Sequence, residues 1–263
     1  MTSNEQRGLY LTNLWSTLTA RERALIGYAV STDADDRSNA WTSLLAEGGC
    51  ASIAMALDLL LADTISARMG KRGAEDRDMV RQAIMRVLNA PAMEGTDRFG
   101  GSVPAASHVV ALRCLAVVPD EEDARVLVAQ APVPEAPNEL IRSWLLAATE
   151  VLRKMSAPDA HPLLQLACRF ARHPRLADPI RAEAVLAVDA GHSPEAIDML
   201  HDLVTTATGD ARVEALAALA ERAALWPTEV RAIRSLLANP PQSPTMRLRA
   251  GVLAAALASD PPA

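Results

Sequence analysis

At 263 residues the chain is long enough for one large domain or two small ones around a buried core. Half of it is hydrophobic but only 3% is aromatic, so the core must be built from Ala, Leu, Val, Ile and Met, a mixture that favours helices over sheets. The net charge of −6 argues against a duplex nucleic acid as partner, because phosphate neutralisation calls for a basic excess.

Two lysines, Lys71 and Lys154, leave arginine as nearly the whole positive charge. That bias points to a high-GC bacterial genome and is not read as phosphate binding. Cys50, Cys114 and Cys168 are odd in number, far apart and without a CxxC, so buried reduced thiols are expected in place of disulfides or a zinc site. The first residues, MTSNEQRGLY, lack a basic segment followed by an apolar one, so a secretory signal is not expected. The longest apolar run, residues 250–258, is half the length of a membrane span.

Along the chain, residues 1–8 are expected as a tail, and 9–70 as three or four helices without a repeated motif. Helices are expected at 77–88 and 107–118, separated by the irregular stretch PAMEGTDRFGGSVP at 91–104. That stretch carries Met93, Arg98 and Phe99 beside a Gly-Gly pair, and a long irregular insertion in a helical stack is a candidate contact loop. A second break, residues 131–138, precedes the helix NELIRSWLLAA at 138–148. Three helices then open near a proline with an acidic residue close behind: 158–172 at Pro158, 194–206 at Pro194 and 227–238 at Pro227. Proline loses no needed hydrogen bond in a first turn, and a carboxylate there meets the positive end of the dipole. Ser193 is the expected N-cap of the second.

Each of these three is followed by another helix. LADPIRAEAVLAV (176–188) and GDARVEALAAL (209–219) share Arg-x-Glu-Ala, and TMRLRAGVLA (245–254) places Arg247 and Ala250 in the same register. With Arg142 of the 138–148 helix, the arginines Arg142, Arg181, Arg212 and Arg247 lie 39, 31 and 35 residues apart. A recurring motif at that period is the mark of stacked helical pairs.

The stretch DPIRAEAVLAV resembles the second-helix motif of HEAT repeats, Asp-x-x-Val/Ile-Arg-x-x-Ala, through Asp178, Ile180, Arg181 and Ala184, with Asp178 one residue closer to the aliphatic than usual. The following unit has Asp210 and Arg212 with Ala211 at the aliphatic position, and the last has Ser243-Pro244 without the aspartate. The resemblance covers 138–259 well and 75–118 less well, where His108 stands at the arginine position. It implies an all-α fold: a HEAT-like, armadillo-like α-solenoid of roughly six stacked helical pairs, with 9–70 as an atypical N-terminal cap. A single helical-repeat domain over 9–259 and a tail at 260–263 are expected. In that family, aspartate and arginine often form a ladder between neighbouring repeats, which this spacing disturbs.

Chemistry is sparse. Asp198, His201 and Asp202 share a helix face at i, i+3 and i+4, but without HExxH or a second ligand helix they read as a solvated face. No GxSxG, GxGxxG or Walker loop occurs, nor the His-Glu dipeptides of helical-repeat iron hydroxylases. Local basic clusters stand at Arg68–Arg86 and Arg169–Arg175, and the four tryptophans read as packing residues. No catalytic residue, metal or cofactor is assigned. The expected function is a cytoplasmic, non-enzymatic scaffold that binds a protein or peptide and no membrane. Its expected contact residues are Met93, Arg98, Phe99, Arg142, Arg181, Arg212 and Arg247. Wherever those arginines are free, an acidic or C-terminal carboxylate partner is expected. The alternatives are a HEAT-like enzyme, such as an alkylpurine DNA glycosylase or a chromophore lyase, and an accessory subunit of a larger assembly.

Overall fold

The computed structural model describes residues 11, 12, 14–62, 74–90, 103–155 and 160–258. Every regular element among them is an α-helix. Residues 14–17 are helical, and thirteen longer segments follow. They are α1 (Ala20–Ala29), α2 (Ala34–Glu47), α3 (Cys50–Ala62), α4 (Ala74–Leu88), α5 (Val103–Val117), α6 (Asp123–Ala129) and α7 (Asn138–Leu152). The rest are α8 (His161–Arg172), α9 (Asp178–Ala190), α10 (Pro194–Thr206), α11 (Gly209–Glu221), α12 (Pro227–Ala238) and α13 (Pro244–Ala258). Met93, Arg98 and Phe99 lie outside the described residues, as do the expected tails at 1–8 and 260–263.

The helix starts follow local chemistry. Thr19 and Glu22 form a reciprocal capping box on α1, with the Glu22 amide donating to Thr19 Oγ1 at 3.2 Å and the Thr19 amide to Glu22 Oε2 at 2.9 Å. Those bonds from Thr19 hold the Glu22 carboxyl below its ordinary value. Asp33 caps α2 by accepting from the amides of Asp35 and Asp36. Ser193 caps α10 as its sequence implies, accepting from the Ala196 amide at 3.1 Å, and Pro194 opens the helix. Pro227 likewise opens α12. Pro158 lies outside the described residues, and the proline in the first turn of α8 is Pro162.

Contacts divide the chain into two compact units, Met1–Pro119 and Asp120–Ala263. In the first, α3 packs on α1, α4 and α5, while α2 packs on α1 and α4. Trp41, Leu44, Ile53, Leu57, Ile84 and Leu112 form its interior. Arginines finish its helix ends. Arg86 donates to the Leu44 and Gly48 carbonyls at 3.1 and 3.0 Å, and Arg81 to the Val118 carbonyl at 2.9 Å. The Gly48 and Val118 carbonyls follow the last turns of α2 and α5, where helix ends leave carbonyls to be satisfied from outside, and the Leu44 carbonyl also accepts the Gly48 amide at 2.8 Å.

In the second unit the helices alternate between two rows. One row runs α7, α9, α11, α13, each packed on the next; the other runs α6, α8, α10. Cross-contacts join α6 to α7, α8 to α9, α10 to α11 and α12 to α13. Small side chains make the first row close-packed: Ala184, Ala187, Ala211, Ala215 and Ala217 are fully buried. Trp144 is also fully buried, donates from Nε1 to the Leu127 carbonyl at 2.8 Å, and meets the Phe170 ring at 5.4 Å. Trp41 and Trp144 are buried packing residues, whereas Trp15 and Trp226 are partly exposed and Trp226 packs through one ring face on His201.

One turn requires its glycine. Gly209 has φ +60°, and a Cβ there would lie 2.5 Å from Asp178 Oδ2. The Asp178 carboxylate therefore sits against the start of α11.

Candidate functional site

The four recurring arginines are not equivalent in space. Arg181 is buried, pairs with Asp178, and donates from Nη1 to Thr208 Oγ1 at 3.1 Å, so it bridges α9 to the start of α11. The Asp178–Arg181 pair lies within one helix, at i and i+3, and is not a rung between neighbouring repeats. The residue three before Arg212 is Gly209, and three before Arg247 is Pro244, so neither has that acid to pair with. Both arginines are exposed, without an ion pair among the described residues. Arg142 is exposed at the helix surface and reaches Glu183 Oε1 of α9 at 3.3 Å.

The inter-helix pairs fall instead at the glutamate of Arg-x-Glu-Ala. Glu183 takes Arg142, and the buried Glu214 takes Arg249, whose Nε lies 3.1 Å from Oε2. Arg249 occupies the glutamate position of the last unit and also reaches Glu221 at 3.2 Å. These carboxylates raise its pKa, the hydrogen bond to Glu214 first. The signal was present in sequence, because Glu183 and Glu214 recur with the arginines, and Arg249 stands two residues after Arg247.

Around Arg142 and Glu183 the surface opens into a groove of about 360 Å³ between α7 and α9. From α7 come Arg142, Leu146, Thr149 and Glu150, with Arg153 just beyond the helix, a stripe at i, i+4, i+7, i+8 and i+11. From α9 come Glu183, Leu186, Asp189 and Ala190, and His192 follows the helix. Leu146 and Leu186 stay 48% and 37% exposed, so two large aliphatics stand open on the floor. Charge frames them. The Arg142–Glu183 pair closes one end. At the other, Arg153 pairs with Glu150, and Arg222 holds Asp189 with Nε 2.7 Å from Oδ1. Arg222 also lies 3.3 Å from His192 Nδ1.

Glu183 is the perturbed group here. Burial raises its carboxyl pKa; Arg142 opposes the rise and Glu139 adds to it. A carboxyl displaced by desolvation inside a cleft marks a functional candidate.

The other expected clusters resolve differently. His201 is not on a solvated face: its Nδ1 lies 2.6 Å from Glu229 Oε1, both groups are buried, and its ring stacks on Trp226 at 3.7 Å. Asp202 turns to Arg172. The helix twist that aligns His201 with Asp198 and Asp202 also brings its ring under α12, and buried glutamate is a better partner than water there. Of the basic clusters, Arg81 and Arg86 bind carbonyls, Arg172 binds Asp202, and Arg175 lies 3.5 Å from Glu135. Arg68, Lys71 and Arg72 lie outside the described residues. All three cysteines are free thiols, Cys114 and Cys168 buried. Among the described residues no helix is long and apolar enough to cross a membrane.

No protein-family model matches the chain, and no curated protein matches it.

Proposed function

We propose that the chain is a non-enzymatic scaffold of HEAT-like helical pairs that binds a protein or peptide on the α7–α9–α11–α13 side, in the cytoplasm of a bacterium. The observation that carries this reading is the groove with Leu146 and Leu186 exposed between paired charges. Exposed aliphatics rimmed by polar groups are the anatomy of a docking surface. The alternation of two helix rows in residues 120–263 supports stacked pairs, in which each unit buries its apolar faces only against its neighbours.

The groove's charges pair with each other along its rim and do not converge on one point, which favours recognition over catalysis. A DNA glycosylase would need tryptophan and a carboxylate meeting in a basic groove, whereas Trp144 is sealed in the core. An acidic partner segment would find Arg212 and Arg247 available, because Arg142 and Arg181 are already engaged. The contribution of the 91–104 loop is part of the same proposal.

The test begins with affinity purification from the native host and mass spectrometry to identify a stoichiometric partner. Leu146→Asp with Leu186→Asp is then expected to weaken that partner at least about tenfold, since central apolar contacts dominate interfaces. The melting temperature should stay within about 2 °C, because both side chains are surface-exposed. Full affinity in that folded double variant would remove the groove from the binding surface. Turnover of methylated DNA with a salt-dependent shift would favour the glycosylase.

A further inference from the structure

We infer that the helical pair α12–α13 docks an acidic amphipathic helix of the partner, laid along the open face of α13 with its apolar side on Leu248 and the adjoining groove and a carboxylate on Arg247. This deepens the scaffold reading and rests on it.

The apolar surface is continuous. α13 packs on α11 and α12, and it buries Met246 and Leu253. Its opposite side is open. Leu248 is 75% exposed. Gly251 is exposed too, and a methyl group in place of its hydrogen would touch nothing. Helical spacing sets Arg247, Gly251 and Ala255 in one line beside Leu248. Next around the helix come Val252 and Ala256, which line a groove of about 470 Å³ together with Leu225 and Val230. An exposed leucine continuous with an apolar groove and edged by a charge has the anatomy of a contact surface.

Charge selects the occupant. Residues 227–258 hold four arginines, Arg231, Arg234, Arg247 and Arg249, and one carboxylate, Glu229, in a chain whose net charge is −6. Glu229 is buried against His201 and accepts the Trp226 amide. Arg249 is held by Glu214 and Glu221. Arg231 and Arg247 are exposed, and neither has an ion pair among the described residues. Screening limits charges to roughly 8 Å at physiological salt, so this local excess governs contact and the net charge does not.

The row of helices shows how such an occupant sits. The α7–α9 contact carries the Arg142–Glu183 pair, and the α11–α13 contact carries Glu214–Arg249. A partner helix with glutamate beside leucine repeats that arrangement on α13, with Leu248 as the anchor and Gly251 leaving room for the incoming side chains. A second copy fits less well, because an isologous contact brings the same arginines together.

The test uses the full chain with methyl-labelled leucine and valine and two stapled helical peptides. Both have leucine and alanine on one face; one has glutamate along its flanks and the other lysine. The glutamate peptide is expected to shift the Leu248 and Val252 methyl signals saturably, and the lysine peptide to leave them in place. Leu248→Asp should weaken the glutamate peptide at least about tenfold. Arg231→Glu with Arg247→Glu should weaken it as much and make the lysine peptide the tighter one. All three side chains are exposed, so circular dichroism should show the variants folded. Equal response to both peptides, shifts confined to Leu146 and Leu186, or an unchanged preference in the folded arginine variant overturns the inference. A Leu248 signal that moves with protein concentration alone assigns the face to a second copy and also overturns it. A native partner that needs Leu146 and Leu186 but neither Leu248 nor Arg247 overturns it while the scaffold reading stands. A native partner indifferent to all four residues overturns the two together.

Discussion

Glu183 is half-buried, and its burial carries a stability cost. Its carboxyl pKa is raised by burial above the ordinary 4.5, so above that pH the folded chain holds the proton more tightly than the unfolded chain. The sign follows: its stabilising contribution is complete below 4.5 and is lost as pH rises through the folded value. Glu183→Gln removes that slope, and its melting temperature at pH 7 is expected to match or exceed that of the parent by at most about 2 °C, because the group remains partly solvated. A clear fall would show that the Arg142 pair outweighs desolvation. The thiols give a second residue-scale test. Burial raises Cys114 well above 9.0 and lifts Cys168 to about 11. Thiolate at Cys168 is then about one part in a thousand at pH 8. Of three cysteines, Cys50 alone is half-exposed and should alkylate in the native protein, with the other two appearing only on denaturation. Rapid native labelling of all three would contradict the packing of α5 and α8.

Helices in the 120–263 unit are joined by charge as well as by alanine. The Glu214–Arg249 contact ties α11 to α13, with Glu214 buried and Arg249 largely so. Arg249→Ala strands the carboxylate and is expected to cost about 3 kcal/mol in urea unfolding, since breaking one side of a buried pair leaves the other uncompensated. The double variant Glu214→Gln with Arg249→Met should recover most of it. Equal stability of the single and double variants would mean that the carboxylate is solvated. Ala184 tests the close approach of α9 to its neighbours. It is fully buried, and Ala184→Asp should cost about 3–5 kcal/mol by placing an unpaired carboxylate among helices. An unchanged melting curve would refute the inward orientation.

At the scale of the molecule, each compact unit holds its own core. In residues 120–263 the largest buried rings and the Trp144–Leu127 bond lie within the unit. That length suffices for a domain core. A 120–263 fragment is therefore expected to be helical by circular dichroism and to melt cooperatively. A disordered fragment would favour the single-domain expectation over 9–259.

Helix type and position were legible from sequence because periodicity and end signals are local. Ser193, Pro194 and Pro227 mark helix starts by interactions within one turn, and the expected 227–238 segment is α12 as observed. The arginine recurring at Arg142, Arg181, Arg212 and Arg247 likewise marked the helices that form one row. What only tertiary structure decided is the fate of each charge. Arg181 is buried and Arg212 exposed from the same motif position: Arg181 reaches Thr208 at the start of α11, 27 residues on, whereas Arg212 has no ion pair among the described residues. His201 faces Glu229 across 28 residues of chain, and Glu183 meets Arg142 across 41. Such pairs depend on which helices become neighbours and at what rotation, and side-chain charge is long-ranged where periodicity is not. The groove exists for the same reason: Leu146 and Leu186 look like ordinary helical leucines until α7 and α9 set them side by side, facing out.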